Sequence, residues 1–186
     1  MYPPGFRTEV EVARLSKKLC GRSRPTHFRG VTTVVLKLFQ IAAPDRAYFG
    51  QKDAQQAIII RRMCRDLNLP IDLRVLPIIR DADGLALSSR NVYLSPTERQ
   101  TALALPRSLA TARKEVAEGE KDCRRLRRRL RERLEATPGL EVDYIATARL
   151  DNLEPQAKVD PVNTLVACAV RVGATRLIDN FILGEI

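Results

Sequence analysis

The chain has 186 residues, 45% of them hydrophobic and 29% charged, which is enough for one domain, or one domain and a small second one, with a core and a soluble surface. No run approaches the roughly 18 apolar residues of a membrane helix, and the N-terminus lacks the basic flank, apolar stretch and small-residue cleavage site of a signal peptide; the cytoplasm is the expected compartment. The formal charge is +10, and its origin matters more than its size, because half of it comes from one segment near the C-terminal third.

Taken in order, Thr8 to Val12 alternate like a short strand, and Ala13 to Leu19 predict a brief helix stopped at Gly21. Val31, Val34, Val35, Leu38 and Phe39 follow helical spacing, which predicts a helix from about Arg29 to Ala42, ended by Pro44. Ala47 to Phe49 reads as a short buried strand leading into Gly50. Ala54 to Leu67, with Ile58-Ile59-Ile60, reads as a helix, and Ile71 to Ile79 as the next strand. This β-α-β order predicts a parallel pair with a right-handed crossover, part of a doubly wound sheet.

The organisation changes near Leu94. Ser95-Pro96-Thr97-Glu98 has the form of a capping box with proline at the first helical position. Leu105, Leu109, Ala112 and Val116 continue a helical stripe, which Pro106 should kink or split. In Lys121 to Glu135, eight Lys/Arg face three acids, while Cys123, Leu126, Leu130 and Leu134 make a narrow apolar stripe. A surface helix with solvated arginines is the simpler reading; a nucleic-acid-binding helix is the alternative, but no aromatic residue interleaves to stack on bases. Three strand-like runs follow, Val142 to Leu150, Thr164 to Val172 and Arg176 to Leu183. The expected fold class is therefore α/β, with residues 1–94 forming part of a Rossmann-like parallel sheet and 95–186 a small α+β domain with a three-stranded antiparallel sheet.

Two segments carry chemistry. Tyr48-Phe49-Gly50-Gln51-Lys52-Asp53 and Asp83-Gly84-Leu85-Ala86-Leu87-Ser88-Ser89-Arg90-Asn91 each follow a strand-like run, where open α/β sheets bind ligands. A glycine, a lysine and a helix start suit a phosphate; two serines and an arginine add hydroxyl donors and a planar fork. The residues alone point to a nucleotide. Asp53-Ala54-Gln55-Gln56 also has the spacing of a helix cap, with Asp53 capping and Gln56 reaching back. Cys20, Cys64, Cys123 and Cys168 show no Cys-x-x-Cys spacing and His27 is the only histidine, which argues against zinc, a His-rich metal site or a scaffold of closely spaced disulfides; Cys64 and Cys168 read as core residues. G-x-S-x-G, P-loop and G-x-G-x-x-G patterns are absent.

Met1-Tyr2-Pro3, Arg24-Pro25-x-His27-Phe28-Arg29-Gly30-Val31, Phe49-Gly50-x-Lys52-Asp53-x-Gln55-Gln56, Asp83-Gly84-Leu85-Ala86-x-Ser88-Ser89-Arg90-Asn91 and Arg176-Leu177-Ile178-Asp179-Asn180 occur together in the order and spacing of one family. The chain resembles the pantoate–β-alanine ligases, adenylate-forming enzymes with a nucleotidyltransferase-type Rossmann fold. The resemblance implies ATP as substrate with Mg²⁺, and ligation of pantoate to β-alanine through a pantoyl adenylate. It implies an ATP site lined by Gly50, Gln51, Lys52, Asp53, Ile79, Leu87, Ser88, Ser89 and Arg90, and a pantoate contact from Gln56. It further implies a homodimer. Thr26 stands where the family usually has glycine and Gln51 where it usually has glutamate.

The family's His-x-Gly-His motif has no counterpart in this sequence and is expected upstream of Met1, so no catalytic residue is assigned here and His27 is given no chemistry. The chain is accordingly expected to be a C-terminal portion with little activity alone, and the segment bearing the missing motif is an expected partner. A non-catalytic interaction module and a basic nucleic-acid binder are the competing readings.

Overall fold

Two threonine hydroxyls decide the path of the first segment. In the computed structural model, which describes Met1–Ile186, residues 8–12 do not form the expected strand. The Val10 N–H donates to Thr33 Oγ1 at 2.9 Å and the Val10 carbonyl accepts from the Thr32 hydroxyl, so helical side chains take the place of a strand partner. The expected helix over Ala13–Leu19 is also broken: a 3₁₀ turn covers Leu15–Lys17 and a single-turn helix, α1, covers Cys20–Ser23. Gly21 lies inside that turn instead of stopping it. A Cβ there would sit 1.8 Å from the Ser16 carbonyl oxygen, so glycine is needed for close approach of two backbone segments.

Helix α2, His27–Ala42, ends where Ala43 adopts the left-handed conformation and donates to the Phe39 carbonyl at 2.8 Å, just before Pro44. Strand β1 (Arg46–Gly50), helix α3 (Ala54–Asp66) and strand β2 (Asp72–Leu76) follow, and β1 pairs with β2 in parallel with Tyr48 opposite Arg74. Helix α3 buries Ala57, Ile58, Ile59, Ile60, Met63 and Cys64. β2 is shorter than the sequence suggested because Pro77 has no N–H to continue the ladder. β1 is half exposed along its length, not buried, since the parallel sheet has two strands.

The capping box at Ser95 forms as expected: Ser95 Oγ accepts from the Glu98 N–H and Glu98 Oε2 accepts from the Ser95 N–H. It opens α4, Pro96–Ala102, followed after Leu103 by α5, Ala104–Ala117. The break falls at Leu103, next to the Ala102 carbonyl that the ring of Pro106, four residues on, would strike in a continuous helix. Helix α6, Cys123–Glu135, is capped by Asp122, whose Oδ1 accepts from the N–H groups of Arg124 and Arg125. Strands β3 (Leu140–Ala148), β4 (Asn163–Val172) and β5 (Thr175–Gly184) form an antiparallel sheet in that order, with a bulge between Val142 and Tyr144. The apolar stripe of α6 is fully buried and meets Leu105, Leu109, Val166, Val170 and Phe181 in one core. The class is α/β with a parallel pair and a three-stranded antiparallel sheet.

The chain divides into two compact units, Met1–Leu76 with Ile186, and Pro77–Glu185. The division falls between Leu76 and Pro77, and Leu94 lies within the second unit. Residues 77–94 belong there because Leu85 enters its core and Arg80 pairs with Asp179.

Candidate functional site

In the first unit, β1 ends at Gly50 and the chain turns through a 3₁₀ segment, Gln51–Asp53, into α3. Gly50 has φ −84° and nothing lies within 4 Å of where its Cβ would be, so its own unit does not require glycine there. Lys52 is largely covered, with its Nζ 3.7 Å from Asp53 Oδ2. The expected cap is not formed: Asp53 flanks α3 without accepting from its N–H groups, its carboxylate lying beside the Lys52 ammonium instead. Gln56 is half-buried on the first turn of α3.

Gln55 has a different role, which sequence reasoning did not isolate. It is 7% exposed; its Oε1 accepts from the Cys20 N–H at 3.0 Å, and its Nε2 donates to the carbonyls of Leu15 at 3.2 Å and Lys18 at 2.7 Å. These bonds tie residues 15–20 to α3. No local pattern announces a partner 35 residues away. His27 opens α2 with its ring tilted against Phe28, and Thr26 precedes it without a side-chain cap.

In the second unit, residues 79–87 form a small hairpin-like arm. The Leu87 N–H donates to the Ile79 carbonyl at 2.9 Å, the Asp81 N–H to the Leu85 carbonyl at 2.8 Å, and the Gly84 N–H closes a turn on the Asp81 carbonyl. Gly84 has φ +93°, a conformation that costs glycine nothing and other residues strain. Ile79 is 70% and Leu87 54% exposed, an open apolar pair at the base of the arm. Ser88 Oγ accepts from the Arg90 N–H and starts a 3₁₀ segment, Ser89–Tyr93, on which Ser89 and Arg90 are exposed and Asn91 is buried.

Arg99 donates through Nε to Asp83 Oδ2 at 2.7 Å and through Nη2 to Asp81 Oδ2 at 2.7 Å and Asp83 Oδ1 at 3.0 Å. Hydrogen bonding from Arg99 holds the Asp83 carboxyl below the usual aspartate range. The nine residues expected at the nucleotide thus fall in two groups, Gly50 to Asp53 in the first unit and Ile79 with Leu87 to Arg90 in the second.

No group of three or more His, Cys, Asp or Glu side chains is arranged to hold a metal ion. Asp53 beside Lys52 is a lone carboxylate, the kind of partial ligation that suits Mg²⁺ arriving on phosphates and keeping its waters. The four cysteines are buried and not disulfide-bonded, and burial raises the thiols of Cys64, Cys123 and Cys168. Five of the seven arginines of α6 are engaged with acids: Arg125 with Glu120, Arg129 with Glu115 and Glu120, Arg133 with Glu115, Arg128 with Glu132 and Arg131 with Glu135. No helix is long and apolar enough to cross a membrane.

Residues 1–182 match the family model of pantoate-beta-alanine ligase. The pantothenate synthetase of Heliobacterium modesticaldum is 55% identical over 188 residues, covering 98% of this chain and 65% of that protein. That of Pelotomaculum thermopropionicum is 52% identical, covering 100% of this chain and 66% of that protein. Among solved structures, the pantothenate synthetase from Thermus thermophilus matches with a TM-score of 0.93 at 42% identity, over 100% of this chain and 67% of that one. A pantoate-beta-alanine ligase from Francisella tularensis, complexed with beta-gamma ATP and beta-alanine, matches at 0.69 and 30% identity, over 97% of this chain and 60% of that one. This chain therefore spans about 65% of the length of the curated relatives it matches.

Proposed function

The chain belongs to the pantoate-beta-alanine ligase family, and we propose that it carries the ATP-binding and C-terminal part of an enzyme joining pantoate to β-alanine. A pantoate carboxylate oxygen attacks the α-phosphorus of ATP, and pyrophosphate leaves. The amine of β-alanine then attacks the acyl carbon of the pantoyl adenylate, loses a proton and displaces AMP. ATP enters as its magnesium complex, with Asp53 the carboxylate nearest the Lys52 cation.

The observation that carries this reading is the turn after β1. Open space over Gly50 lets phosphate oxygens approach the backbone, and the largely covered Lys52 places a cation at the start of α3. In the second unit, Ser88, Ser89 and Arg90 carry hydroxyl and guanidinium donors of the kind that stabilise growing phosphate charge, and the exposed Ile79–Leu87 pair offers an apolar surface of the kind that suits a base. Gln56, one position beyond the anchored Gln55, is assigned to pantoate.

The chain has one histidine and no His-x-Gly-His. A preorganised donor of that kind is worth about 10²–10³ in rate, so the chain alone turns over slowly. The half-exposed parallel pair and the exposed Leu38 and Ile41 of α2 support self-association. A homodimer and a cytoplasmic setting belong to the same proposal.

Calorimetric titration with MgATP tests the reading. The parent chain binds, Lys52→Ala weakens binding by about tenfold or more, a loss typical of one charge-assisted contact, and pantoate does not restore it. Equal affinity in the two proteins removes Lys52 from the site and overturns the assignment of the β1–α3 turn.

A further inference from the structure

Two of the sequence motifs converge within the second unit in a way that ligand contact does not explain. Asp179, from Arg176-Leu177-Ile178-Asp179-Asn180, is 1% exposed on β5 and accepts a bidentate pair from Arg80, at 2.7 Å from Nη1 and 3.1 Å from Nη2. Arg80 Nη1 also donates to the Gly84 carbonyl at 3.1 Å. One fork therefore joins the buried sheet to the first strand of the 79–87 arm and to its turn. At the tip, Arg99 of α4 spans Asp81 and Asp83. At the far end, Asn91 Nδ2 donates to the Ala86 carbonyl at 3.1 Å and to Asp81 Oδ2 at 3.3 Å.

Ser88, Ser89 and Arg90 lie between these anchors and are partly or fully exposed. An exposed segment of that length samples many conformations unless something outside it fixes its ends. Here both ends are fixed before any ligand arrives, so the ordering entropy is met on folding and not on binding. A bidentate guanidinium sets direction as well as distance, which a lysine cannot do.

We infer that Arg99 and Asp179 are positioning residues that preset Ser88-Ser89-Arg90 for the phosphates of a nucleotide, Arg99 by clamping the turn through Asp81 and Asp83, and Asp179 by anchoring the arm through Arg80. The inference rests on the reading of Ser88 to Arg90 as a nucleotide-contacting segment. Neither residue touches the ligand.

The test is a double-mutant cycle on the full chain, with MgATP affinity read by calorimetry. The variants are Arg99→Ala, a segment variant (Ser88→Ala, Ser89→Ala, Arg90→Ala) and their combination. Arg99→Ala weakens MgATP binding by about tenfold, the size of an ordinary coupling between contacting groups. In the segment variant the same substitution adds less than about twofold, because there is nothing left to position. Hydrogen exchange at residues 84–91 quickens in Arg99→Ala while exchange in β4 does not change. Arg99→Lys, which keeps the charge without the fork, folds and loses affinity in the same direction; Asp179→Asn repeats the pattern from the other anchor.

Losses that add in full, or unchanged affinity in Arg99→Ala where the segment variant is weakened, overturn the positioning role and leave the nucleotide reading standing. Unchanged affinity in the segment variant, or no binding by the parent chain, overturns the nucleotide reading and this inference with it.

Discussion

Two adjacent glutamines on α3 are expected to fail in opposite ways. Gln55→Ala removes one acceptor and two donor bonds: the Cys20 N–H loses the Gln55 oxygen, while the carbonyls of Leu15 and Lys18 keep the N–H groups of Lys18 and Gly21. The Cys20 N–H is in buried surroundings, where losing its acceptor costs about 1–3 kcal/mol, and the two lost carbonyl bonds add about 0.5–1.5 kcal/mol each. Together these give roughly 2–6 kcal/mol, with water entering the new cavity favouring the lower end. Net stabilities of small domains are about 5–15 kcal/mol, so the first unit loses a large share of its margin and residues 13–23 loosen first. Gln56→Ala leaves those bonds intact and changes stability by within about 0.5 kcal/mol, as partly exposed sites without such networks do, while removing the proposed pantoate contact. Urea unfolding of both variants, with hydrogen exchange over residues 13–23, measures the contrast. An unfolding midpoint for Gln55→Ala equal to that of the parent, or a loss in Gln56→Ala as large as in Gln55→Ala, refutes the division of labour.

Leu130→Ala empties a fully buried position between α6 and the antiparallel sheet and is expected to cost about 2–5 kcal/mol by chemical denaturation; a cost below about 1 kcal/mol argues against the packing described. The Asp83 carboxyl is held low in the folded chain by Arg99, so its contribution is fully present above the unfolded aspartate value of about 4 and is lost as pH falls through the lowered folded value. Unfolding followed from about pH 6 down to about pH 2 should show a steeper acid-side fall in the parent than in Asp83→Asn, and identical slopes contradict the assigned pair.

What the sequence disclosed is what local chemistry dictates. Ser95, Pro96 and Glu98 start a helix through bonds within one turn, Pro106 breaks one through its clash four residues back, and the stripe of α6 needs only its own spacing to declare a buried face. The errors come largely from side chains that bond across distance. The alternation of Thr8 to Val12 was real, but Thr32 and Thr33 satisfy Val10 where a strand partner was expected. Over Ala13–Leu19 the Leu15 and Lys18 carbonyls close i+3 turns in place of a continuous helix, and Gln55 binds both of them and the Cys20 N–H from α3. The spacing of Asp53 and Gln56 suggested a cap, but Asp53 lies beside Lys52. In the first two cases the partner comes from an element that the local sequence does not contain; in the third it is the neighbouring lysine.

The same distinction separates the residues of the candidate site from those that hold it. Gly50, Lys52, Ser88, Ser89 and Arg90 stand out in the sequence as candidates because turns that present small, hydroxyl and cationic groups have few structural reasons to do so. Asp179 and Arg99 were not, since an aspartate on a strand and an arginine on a helix have many. The charge of the chain follows this logic too. The arginines of α6 dominate the net charge of +10, yet they meet Glu115, Glu120, Glu132 and Glu135, and their stems cover an apolar stripe that is buried. One arginine on the arm, Arg80, satisfies a carboxylate that is 1% exposed, where removing the arginine would strand a buried charge. Charge in number marks the surface of this chain; charge in a constrained pair marks the arm that leads into the proposed phosphate contacts.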